Sequence, residues 1–448
     1  MVKKRKITPV RLISLGYLIT ILIGTLLLFL PIASKSGKFT NIIDALFTST
    51  SATCVTGLVP FDTFSHWNIF GQIVILILIQ IGGIGFMTII TLFFMMFKKN
   101  IGIFNRTVLM QSAGSYNISE VGVLIKRIIK CTILCEGVGA LILTFCFMKN
   151  MSFGKALYYG VFHSISAFCN AGFDIFGAAG GSLTDYYSSP IVLLTLMILI
   201  VIGGLGFIVW SDIVDSKFKV SKLQLHTKIV LLFNSLLIIF PALLFFIFEF
   251  TGIGQNGSFQ EYSIVDKIFN SLFLSISPRT AGFNSVNLNE LTSSGKLLTI
   301  ILMFIGGNSG STAGGVKVTT FIVVMANLFS SAKGKKDVVM FKRKISTQII
   351  KQSSSLIISY LVLILASTLL ISAIESCSLE EVLFETVSAL GTVGLSLGLS
   401  ATGGVFTKIV LIFLMYSGRL GALTLFSLFI ADRNDNIIDE PKGKLLVG

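Results

Sequence analysis

The chain repeats one short pattern four times, as ALFTSTSATCVTGL at 45–58, YGVFHSISAFCNAGF at 159–173, NSLFLSISPRTAGF at 270–283 and LFETVSALGTVGL at 383–395. Each segment ends with a glycine followed by Leu or Phe. These glycines are Gly57, Gly172, Gly282 and Gly394, and their separations are 115, 110 and 112 residues. Four matches at near-constant spacing indicate an internal repeat.

The composition excludes a soluble protein. Of the 448 residues, 53% are hydrophobic and only 12% are charged, which is about half the usual charged fraction. A helix needs about 20 apolar residues to cross a hydrocarbon core of roughly 30 Å, and long apolar runs flank every repeated segment. The sequence therefore predicts an all-α polytopic membrane protein.

Each repeat has the order of a first apolar span, a short amphipathic run, the glycine turn and a second apolar span. The short runs cannot cross the bilayer, so they are predicted to be re-entrant helices that enter and leave on one side. The predicted first spans are 12–31, 128–148, 229–250 and 356–374, and the second spans are 68–97, 190–210, 297–329 and 405–430.

Eight spans and four re-entrant helices would thus form four M1–pore helix–M2 repeats around one pore. The run at 12–31 follows a basic start, but it has no small-residue cleavage site and is taken as a span rather than a signal peptide. The predicted units are 1–97, 98–215, 216–335 with a broken second span, 336–431, and a cytoplasmic tail at 432–448.

The net charge of +14 predicts the orientation of the chain. About 25 of its 35 Lys and Arg residues fall in five places, which are 3–11, 98–130, 217–228, 333–351 and the tail from Arg433. These places alternate with poorly basic segments, as the positive-inside rule requires of a chain with both termini in the cytoplasm. Topology in the lipid bilayer explains the basicity, and no nucleic acid partner is needed.

Each short run opens with a helix-capping residue: Asn41 before Asp44, Ser152, Ser263 before Asp266, and Ser378 before Glu381. The helix then stops at the glycine turn. Its carbonyl end, which carries a partial negative charge, points toward the membrane centre, where it stabilises a dehydrating cation. This geometry predicts a cation pore.

A ring of backbone carbonyls can replace the water shell of a cation when four similar loops converge on one axis. Glycine suits such loops because it tolerates the φ and ψ values that turn successive carbonyls inward. Glycine in all four loops favours K⁺, whereas a serine in one loop would favour Na⁺. The alternative is that each glycine only ends its helix, which leaves the fourfold repetition unexplained. The predicted filter residues are Val55, Thr56, Gly57, Asn170, Ala171, Gly172, Thr280, Ala281, Gly282, Thr392, Val393 and Gly394.

A second glycine motif follows each loop by about 24 to 31 residues. At 82–85, 203–206 and 417–421 it predicts close packing of helices through small residues. In the third repeat the motif is GGNSGSTAGGVK at 306–317, which places twelve small, polar or charged residues inside a span. It departs from a phosphate loop because the lysine follows the last glycine by two positions. We expect an unwound loop that lines a watery cavity, the alternative being a continuous helix with a small-residue face.

The unwound loop is the candidate gate of the pore. A buried arginine at the matching depth of the fourth repeat is expected to contact carbonyls or hydroxyls of the loop, the alternative being a packing anchor. Two cations below a cation filter would limit flow. The candidate gate residues are Gly306, Gly307, Asn308, Ser309, Gly310, Ser311, Thr312, Ala313, Gly314, Gly315, Lys317 and Arg419.

No set of residues in the sequence suggests an enzyme or a resident cofactor. The six cysteines lie in or beside apolar runs without a CxxC pair, and His66, His163 and His226 lack ligand spacing. Glu136 lies inside a span, and we expect it to pair with a basic residue. The bound ions would therefore be transported K⁺ and possibly Na⁺. A membrane enzyme or a scaffold remains the rival class of function.

The four glycine loops, the Gly-Gly motifs and above all GGNSGSTAGGVK resemble the Trk/Ktr/HKT superfamily of potassium transporters over essentially the whole chain. The resemblance implies K⁺ uptake, commonly Na⁺-stimulated, across a bacterial cytoplasmic membrane. It also implies a homodimer with one pore per protomer, bound to a cytoplasmic, nucleotide-binding regulatory ring (KtrA-like). The family's gate maps onto 306–317 with Arg419 opposite, and its tail onto the dimer interface. Asn170-Ala171 departs from the Thr-Val-like pair that a symmetric ring would carry.

Overall fold

The computed structural model describes residues 9–85, 121–177, 182–251 and 259–421. Within these ranges the chain repeats one order of helices four times: a long helix, a short helix and a second helix. The long helices are Pro9–Phe29, Val121–Phe147, Leu225–Phe245 with a π-helical continuation Phe246–Phe250, and Thr347–Ser372. The short helices are Ile42–Cys54, Phe153–Phe168, Ile264–Ile276 and Leu379–Gly391.

The second helices are more varied. They are Ile69–Ile84, Pro190–Leu205, Ser293–Phe304 and Val405–Leu420. Two of them continue after an interruption, as Phe207–Asp215 and Val318–Ala332. The remaining elements are the single turns Thr63–His66 and Leu399–Thr402, the 3₁₀ turns Pro31–Ala33, Thr184–Tyr186, Val220–Lys222 and Leu288–Glu290, and a hairpin of Val339–Met340 with Arg343–Lys344.

The predicted all-α membrane architecture is confirmed. Among the described residues, four helices are long and apolar enough to cross a bilayer, namely Arg11–Phe29, Gly122–Phe147, Leu225–Phe250 and Thr347–Ser372, and the bent pair Pro190–Leu205 and Phe207–Asp215 would make a fifth span. The short helices of 13 to 16 residues span only about 20 to 24 Å and cannot cross it. The count of eight spans stays a prediction, because the predicted stretches 86–97 and 422–430 lie outside the described residues. So do the loop at 98–120 and the tail at 432–448.

The predicted capping residues begin all four short helices. Asn41 accepts a hydrogen bond from the main-chain nitrogen of Ile43, and Ser263 accepts one from Asp266. Ser378 and Glu381 form a reciprocal capping box. Ser152 occupies the cap position but makes no side-chain capping bond. These caps fix where each short helix starts and therefore where its carbonyl end arrives.

The later glycine motifs do more than pack helices. A Cβ on Gly82, Gly203 or Gly418 would collide with a carbonyl oxygen in the last turn or at the end of a short helix, so the predicted packing is confirmed. However, Gly206 has a φ of +101°, and the chain bends there by 89°. We predicted a broken second span in the third repeat alone. That was wrong for the second repeat, because a glycine can adopt this backbone conformation and end the helix.

A buried ion pair joins the first repeat to the fourth. Lys408 Nζ lies 2.7 Å from Asp44 Oδ1, and the two side chains are only 13% and 11% exposed. Asp44 lies in the first turn of the first short helix, and Lys408 lies near the start of the last second helix. The pair therefore fixes these two helices against each other.

We expect Asp44→Asn to destabilise the protein by about 3 kcal/mol, because it leaves the Lys408 ammonium buried without a counter-charge. The double variant Asp44→Asn/Lys408→Met should recover most of the loss. The thermal unfolding midpoint of purified protein in detergent measures both. Glu380→Gln is the matched control, because its 3.6 Å pair with Lys296 is more exposed and should matter by less than about 1 kcal/mol. Equal midpoints for Asp44→Asn and wild type would contradict this account.

Candidate functional site

The four glycine segments meet around one axis, in the order of the sequence. A Cβ built on each glycine would lie 2.8 Å or less from a carbonyl oxygen of the neighbouring segment, so no side chain fits at any of the four positions. The contacts form a closed cycle: Gly57 with Ala171, Gly172 with Ala281, Gly282 with Val393, and Gly394 with Thr56. The structure thus brings all twelve predicted filter residues together, and we call this arrangement the glycine ring.

The backbone of each segment alternates in the sign of φ. The first residue is left-handed in every repeat, with φ of 58° at Val55, 58° at Asn170, 72° at Thr280 and 50° at Thr392. The glycine two positions later is left-handed again, whereas the residue between them is not. Such alternation lets successive carbonyls face one side, unlike the alternating carbonyls of a strand. Three of the four left-handed first residues are β-branched, so the conformation is strained and must be held by its surroundings.

A serine from the preceding short helix braces each segment. Gly57 and Gly394 donate their main-chain N–H to Ser51 Oγ at 3.0 Å and to Ser388 Oγ at 3.1 Å. Ser166 Oγ donates to the carbonyl of Phe173 at 2.7 Å, and Ser277 Oγ donates to the carbonyl of Phe283. We did not predict these residues from the sequence. The spacing could have indicated them, because a serine lies six residues before the ring glycine in the first, second and fourth repeats and five residues before it in the third.

Two buried polar side chains hold the backbone that leaves the ring. The carboxylate of Glu385 accepts hydrogen bonds from the hydroxyl of Ser396 and the main-chain nitrogen of Ser400. At the equivalent position of the second repeat, His163 Nε2 accepts from the nitrogen of Ile175 at 3.4 Å. Both residues lie three positions before a bracing serine. The side chains of these two short helices therefore hold the backbone at the ring glycine or just beyond it.

Asn170 replaces the Val or Thr found at the start of the other three segments. Its side-chain amide faces the hydroxyl of Thr280 in the next segment. With the amide oriented to satisfy its neighbours, the nitrogen donates to the carbonyls of Ile200 and Ala167. Asparagine adopts left-handed φ more readily than most residues. The departure noted in the sequence is thus compatible with the geometry of the ring.

A cavity of about 420 Å³ opens on one side of the glycine ring. All four ring glycines line it, together with Asp62 and Asp174, and no Lys or Arg is among its described lining residues. Asp174 touches the cavity but is otherwise enclosed by protein, and this burial raises its pKa to about 7, with a smaller contribution from the charge of Asp62. The acidic wall makes this side of the ring attractive to cations.

The interrupted span of the third repeat is unwound, as we predicted. Ser293–Phe304 ends before it and Val318–Ala332 begins after it. Ile305 and Val316 form a parallel bridge, in which the nitrogen of Gly306 donates to the carbonyl of Val316 at 2.9 Å. The nitrogen of Val318 donates to the carbonyl of Gly307 at 3.1 Å. The two ends of the loop are thus joined at its base, and the continuous-helix alternative is excluded.

The loop lies against the side of the ring that faces away from the acidic cavity. A Cβ on Gly314 would collide with Thr392, the first residue of the fourth segment, whereas Gly394 at its other end lines the cavity. Asn308 donates from its main-chain nitrogen and its Nδ2 to the carbonyl of Gly204, at 3.2 and 2.9 Å. Thr312 Oγ1 donates to the carbonyl of Phe168 at 3.3 Å. The loop therefore joins the second and fourth repeats beneath the ring.

Two basic side chains donate hydrogen bonds to carbonyls of the loop. Arg419 donates to the carbonyl of Thr312, which confirms the predicted contact, and also to the carbonyl of Gly82, which we did not predict. Lys317 Nζ donates to the carbonyls of Ala313 and Gly314 at 2.6 and 3.3 Å. Arg419 thus links the first, third and fourth repeats. The structure brings all twelve predicted gate residues to this side of the ring.

Among the described residues, Glu136 is bonded by a neutral amide, and the predicted basic partner is not among them. Its carboxylate accepts two hydrogen bonds from Gln80 Nε2, at 3.1 and 3.2 Å, and approaches the thiol of Cys169. No Lys or Arg of the described ranges forms an ion pair with it. Cys169 immediately precedes the ring residue Asn170. The buried acid therefore belongs to a polar cluster behind the second segment.

Comparison with known proteins identifies close resemblance over the whole chain. The potassium/sodium uptake protein NtpJ of Enterococcus hirae is 39% identical, over 99% of this chain and 98% of that protein. The Ktr system potassium uptake protein B of Bacillus subtilis is 36% identical, over 100% of this chain and 98% of that protein. The crystal structure of the potassium transporter TrkH from Vibrio parahaemolyticus has the same fold, with a TM-score of 0.73 at 18% identity over 96% of this chain and 86% of that one.

A family model described as "TrkH: Cation transport protein" matches residues 12–438, which include every residue of the glycine ring and of the interrupted loop. The match therefore covers the whole arrangement described above. The chain belongs to the TrkH family of cation transport proteins.

Proposed function

We propose that this chain is the membrane subunit of a bacterial potassium uptake system and conducts K⁺ across the cytoplasmic membrane. The observation that carries the proposal is the closed ring of four glycine segments at the floor of an acidic cavity. The names of its full-length relatives support the choice of ion, since one is a potassium/sodium uptake protein and another a Ktr potassium uptake protein.

The glycine ring serves as the selectivity filter. Four short helices aim their carbonyl ends at it, and the left-handed positions favour carbonyls that face the axis. Glycine in all four segments favours the larger K⁺ ion. The Enterococcus hirae relative is named a potassium/sodium uptake protein, which makes Na⁺ conduction the second candidate. Relative K⁺ and Na⁺ flux in liposomes decides between the two ions.

The loop at 306–317 serves as the gate, with Lys317 and Arg419 as the charges that oppose a cation leaving the ring. It lies on the side of the ring away from the acidic cavity, where it donates to backbone carbonyls of the second repeat and accepts a hydrogen bond from Arg419 of the fourth. Positive charge at this place raises the barrier to a permeating cation. Displacement of the loop would lower that barrier.

A nucleotide-binding regulatory ring of the KtrA type docks on the cytoplasmic face and controls the gate. The exposed basic residues at 217–222 and 333–343 offer it a positive surface, although lipid headgroups compete for the same charges. The termini are cytoplasmic, the chain forms a homodimer, and Na⁺ stimulates uptake. Two relatives are named protein B of a Ktr system, which supports a system of several components.

We expect the chain to restore growth at low K⁺ to a bacterium that lacks its own potassium uptake, because the ring then supplies the missing pathway. Co-expression of a KtrA-type subunit should increase the restored uptake. Growth rate and cell K⁺ content measure the effect. Correctly inserted protein that restores neither would contradict the proposed function.

Gly57→Ser and Gly282→Ser should each reduce the flux ratio of K⁺ to Na⁺ by roughly tenfold, about 1.4 kcal/mol of discrimination. The new Cβ would press on the carbonyl of the next segment, at 2.5 Å in the case of Gly282 and Val393, and would displace ring oxygens. The measurement is ion flux in liposomes. Gly37→Ser is the matched control, because Gly37 also has positive φ but has nothing within 4 Å of its Cβ. An unchanged ratio in both ring variants would refute the filter assignment.

Deletion of residues 308–313 should raise K⁺ flux on the order of tenfold if the loop blocks the pathway most of the time. The chain can close across the gap, because Gly306 already bonds to Val316 and Gly307 to Val318 at the base of the loop. Flux should also depend less on the regulatory subunit, while the ratio of K⁺ to Na⁺ stays constant. The assay uses purified protein in liposomes after its assembly is verified. Lower flux from a well-folded deletion would refute the gate.

A further inference from the structure

A second cavity, of about 730 Å³, lies on the gate side of the molecule. It is bounded by the start of the long helix Leu225–Phe245, by the helix Val318–Ala332 and by the hairpin at 339–344. Ser309 of the interrupted loop lines it, and Ser309 Oγ lies 3.3 Å from Thr319 Oγ1, which also lines it. Whatever fills this cavity therefore touches the loop.

Among the described residues that line this cavity, three have cationic side chains and none is acidic. They are Lys222, Lys228 and Arg343. Lys222 and Arg343 are exposed, and neither side chain makes a hydrogen bond or ion pair with a described residue. On the same hairpin, Lys344 forms an ion pair with Asp337 at 2.7 Å, whereas Arg343 forms none with a described residue. The cavity therefore has positive charge without a described counter-charge.

The carboxylate of Asp212 lies behind this wall and is already hydrogen-bonded. Asp212 is buried and accepts a hydrogen bond from the main-chain nitrogen of Gln224 at 3.0 Å. It does not line the cavity. The long helix that starts beside Gln224 has no side-chain cap at its N-terminus. The open backbone N–H groups of its first turn add to the positive potential of the three side chains.

Most of the other residues that line the cavity are apolar, eight of thirteen. Ile229 and Ile322 are buried in the wall, at 7% and 5% exposure. Near the cationic residues in sequence, Phe218 and Phe341 are 79% and 50% exposed. Exposed aromatic side chains next to basic residues are typical of the membrane interface. The cavity thus combines a largely apolar wall with cationic side chains.

We propose that this cavity binds an anionic phospholipid, with its phosphate between Lys222 and Arg343 and an acyl chain against Ile229 and Ile322. Basic pockets between helices at the cytoplasmic side of a membrane suit anionic headgroups. Free phosphate would leave the apolar wall uncovered, and a neutral lipid would leave the cations without a counter-charge. An anionic phospholipid satisfies both, and it contacts the interrupted loop through Ser309.

Native mass spectrometry of the full chain tests the proposal, after delipidation and titration with dioleoyl phosphatidylglycerol. Each interfacial cation contributes about a fivefold gain in affinity, so Lys222→Gln/Arg343→Gln should weaken the first bound lipid about 25-fold. Both side chains are exposed, so their neutralisation should not affect folding. Lys217→Gln/Lys219→Gln is the matched control, with the same change of charge on the same exposed loop outside the cavity, and its affinity should change less than about twofold.

Two further ligands test whether the cavity binds an anionic lipid, a neutral lipid or a free phosphate ester. Dioleoyl phosphatidylcholine should bind more weakly than phosphatidylglycerol, and glycerol 3-phosphate should not displace the lipid. Equal loss of affinity in both double variants, no loss in either, equal binding of the neutral lipid, or displacement by glycerol 3-phosphate would each overturn the proposal. The measurement involves no ion gradient, so its result is independent of which ion the chain carries.

Discussion

The contact between each ring glycine and the carbonyl of the next repeat is the constraint on which the rest of the structure depends. With a side chain at any one of the four positions, the segments could not approach each other closely enough to form a closed ring. Because the segments close, the four short helices must converge with their carbonyl ends toward the ring. The bracing serines, the buried Glu385 and the left-handed residues then hold a backbone that local propensity disfavours.

Much of this architecture is predictable from the sequence because it follows from repetition and hydrophobicity. The spacing of the glycines located all four ring segments, and the caps at Asn41, Ser263 and Ser378 located the starts of short helices. The unwound loop was predictable because twelve small or polar residues cannot form a lipid-facing helix. Each of these features is local, so one segment of sequence contains the physical reason for it.

The features that escaped prediction depend on contacts between distant segments. The serines 51, 166, 277 and 388 are ordinary helix residues until the glycine turn folds back onto them. The motif at 203–206 predicted packing alone. The break there depends on the neighbouring loop, whose Gly310 carbonyl accepts a hydrogen bond from the nitrogen of Phe207 at 2.7 Å. Glu136 meets Gln80 of the previous repeat, and no pattern in its own span indicates that partner.

The fourfold pattern is broken mainly on one side of the ring. On the cavity side all repeats present a glycine, whereas on the other side one loop and one arginine lie beside the ring and contact carbonyls of different repeats. Arginine suits this place better than lysine, because its planar group donates in two directions to Thr312 and Gly82 at once. These contacts are hydrogen bonds to backbone oxygens, which water can replace at small net cost. An apolar plug of the same size would cost far more free energy to displace, because its buried apolar surface would become exposed to water. Because the base of the loop is joined, displacement of the loop would leave the adjoining helices in register. Polar contacts of this kind therefore suit the proposed gate, which needs two arrangements of similar free energy.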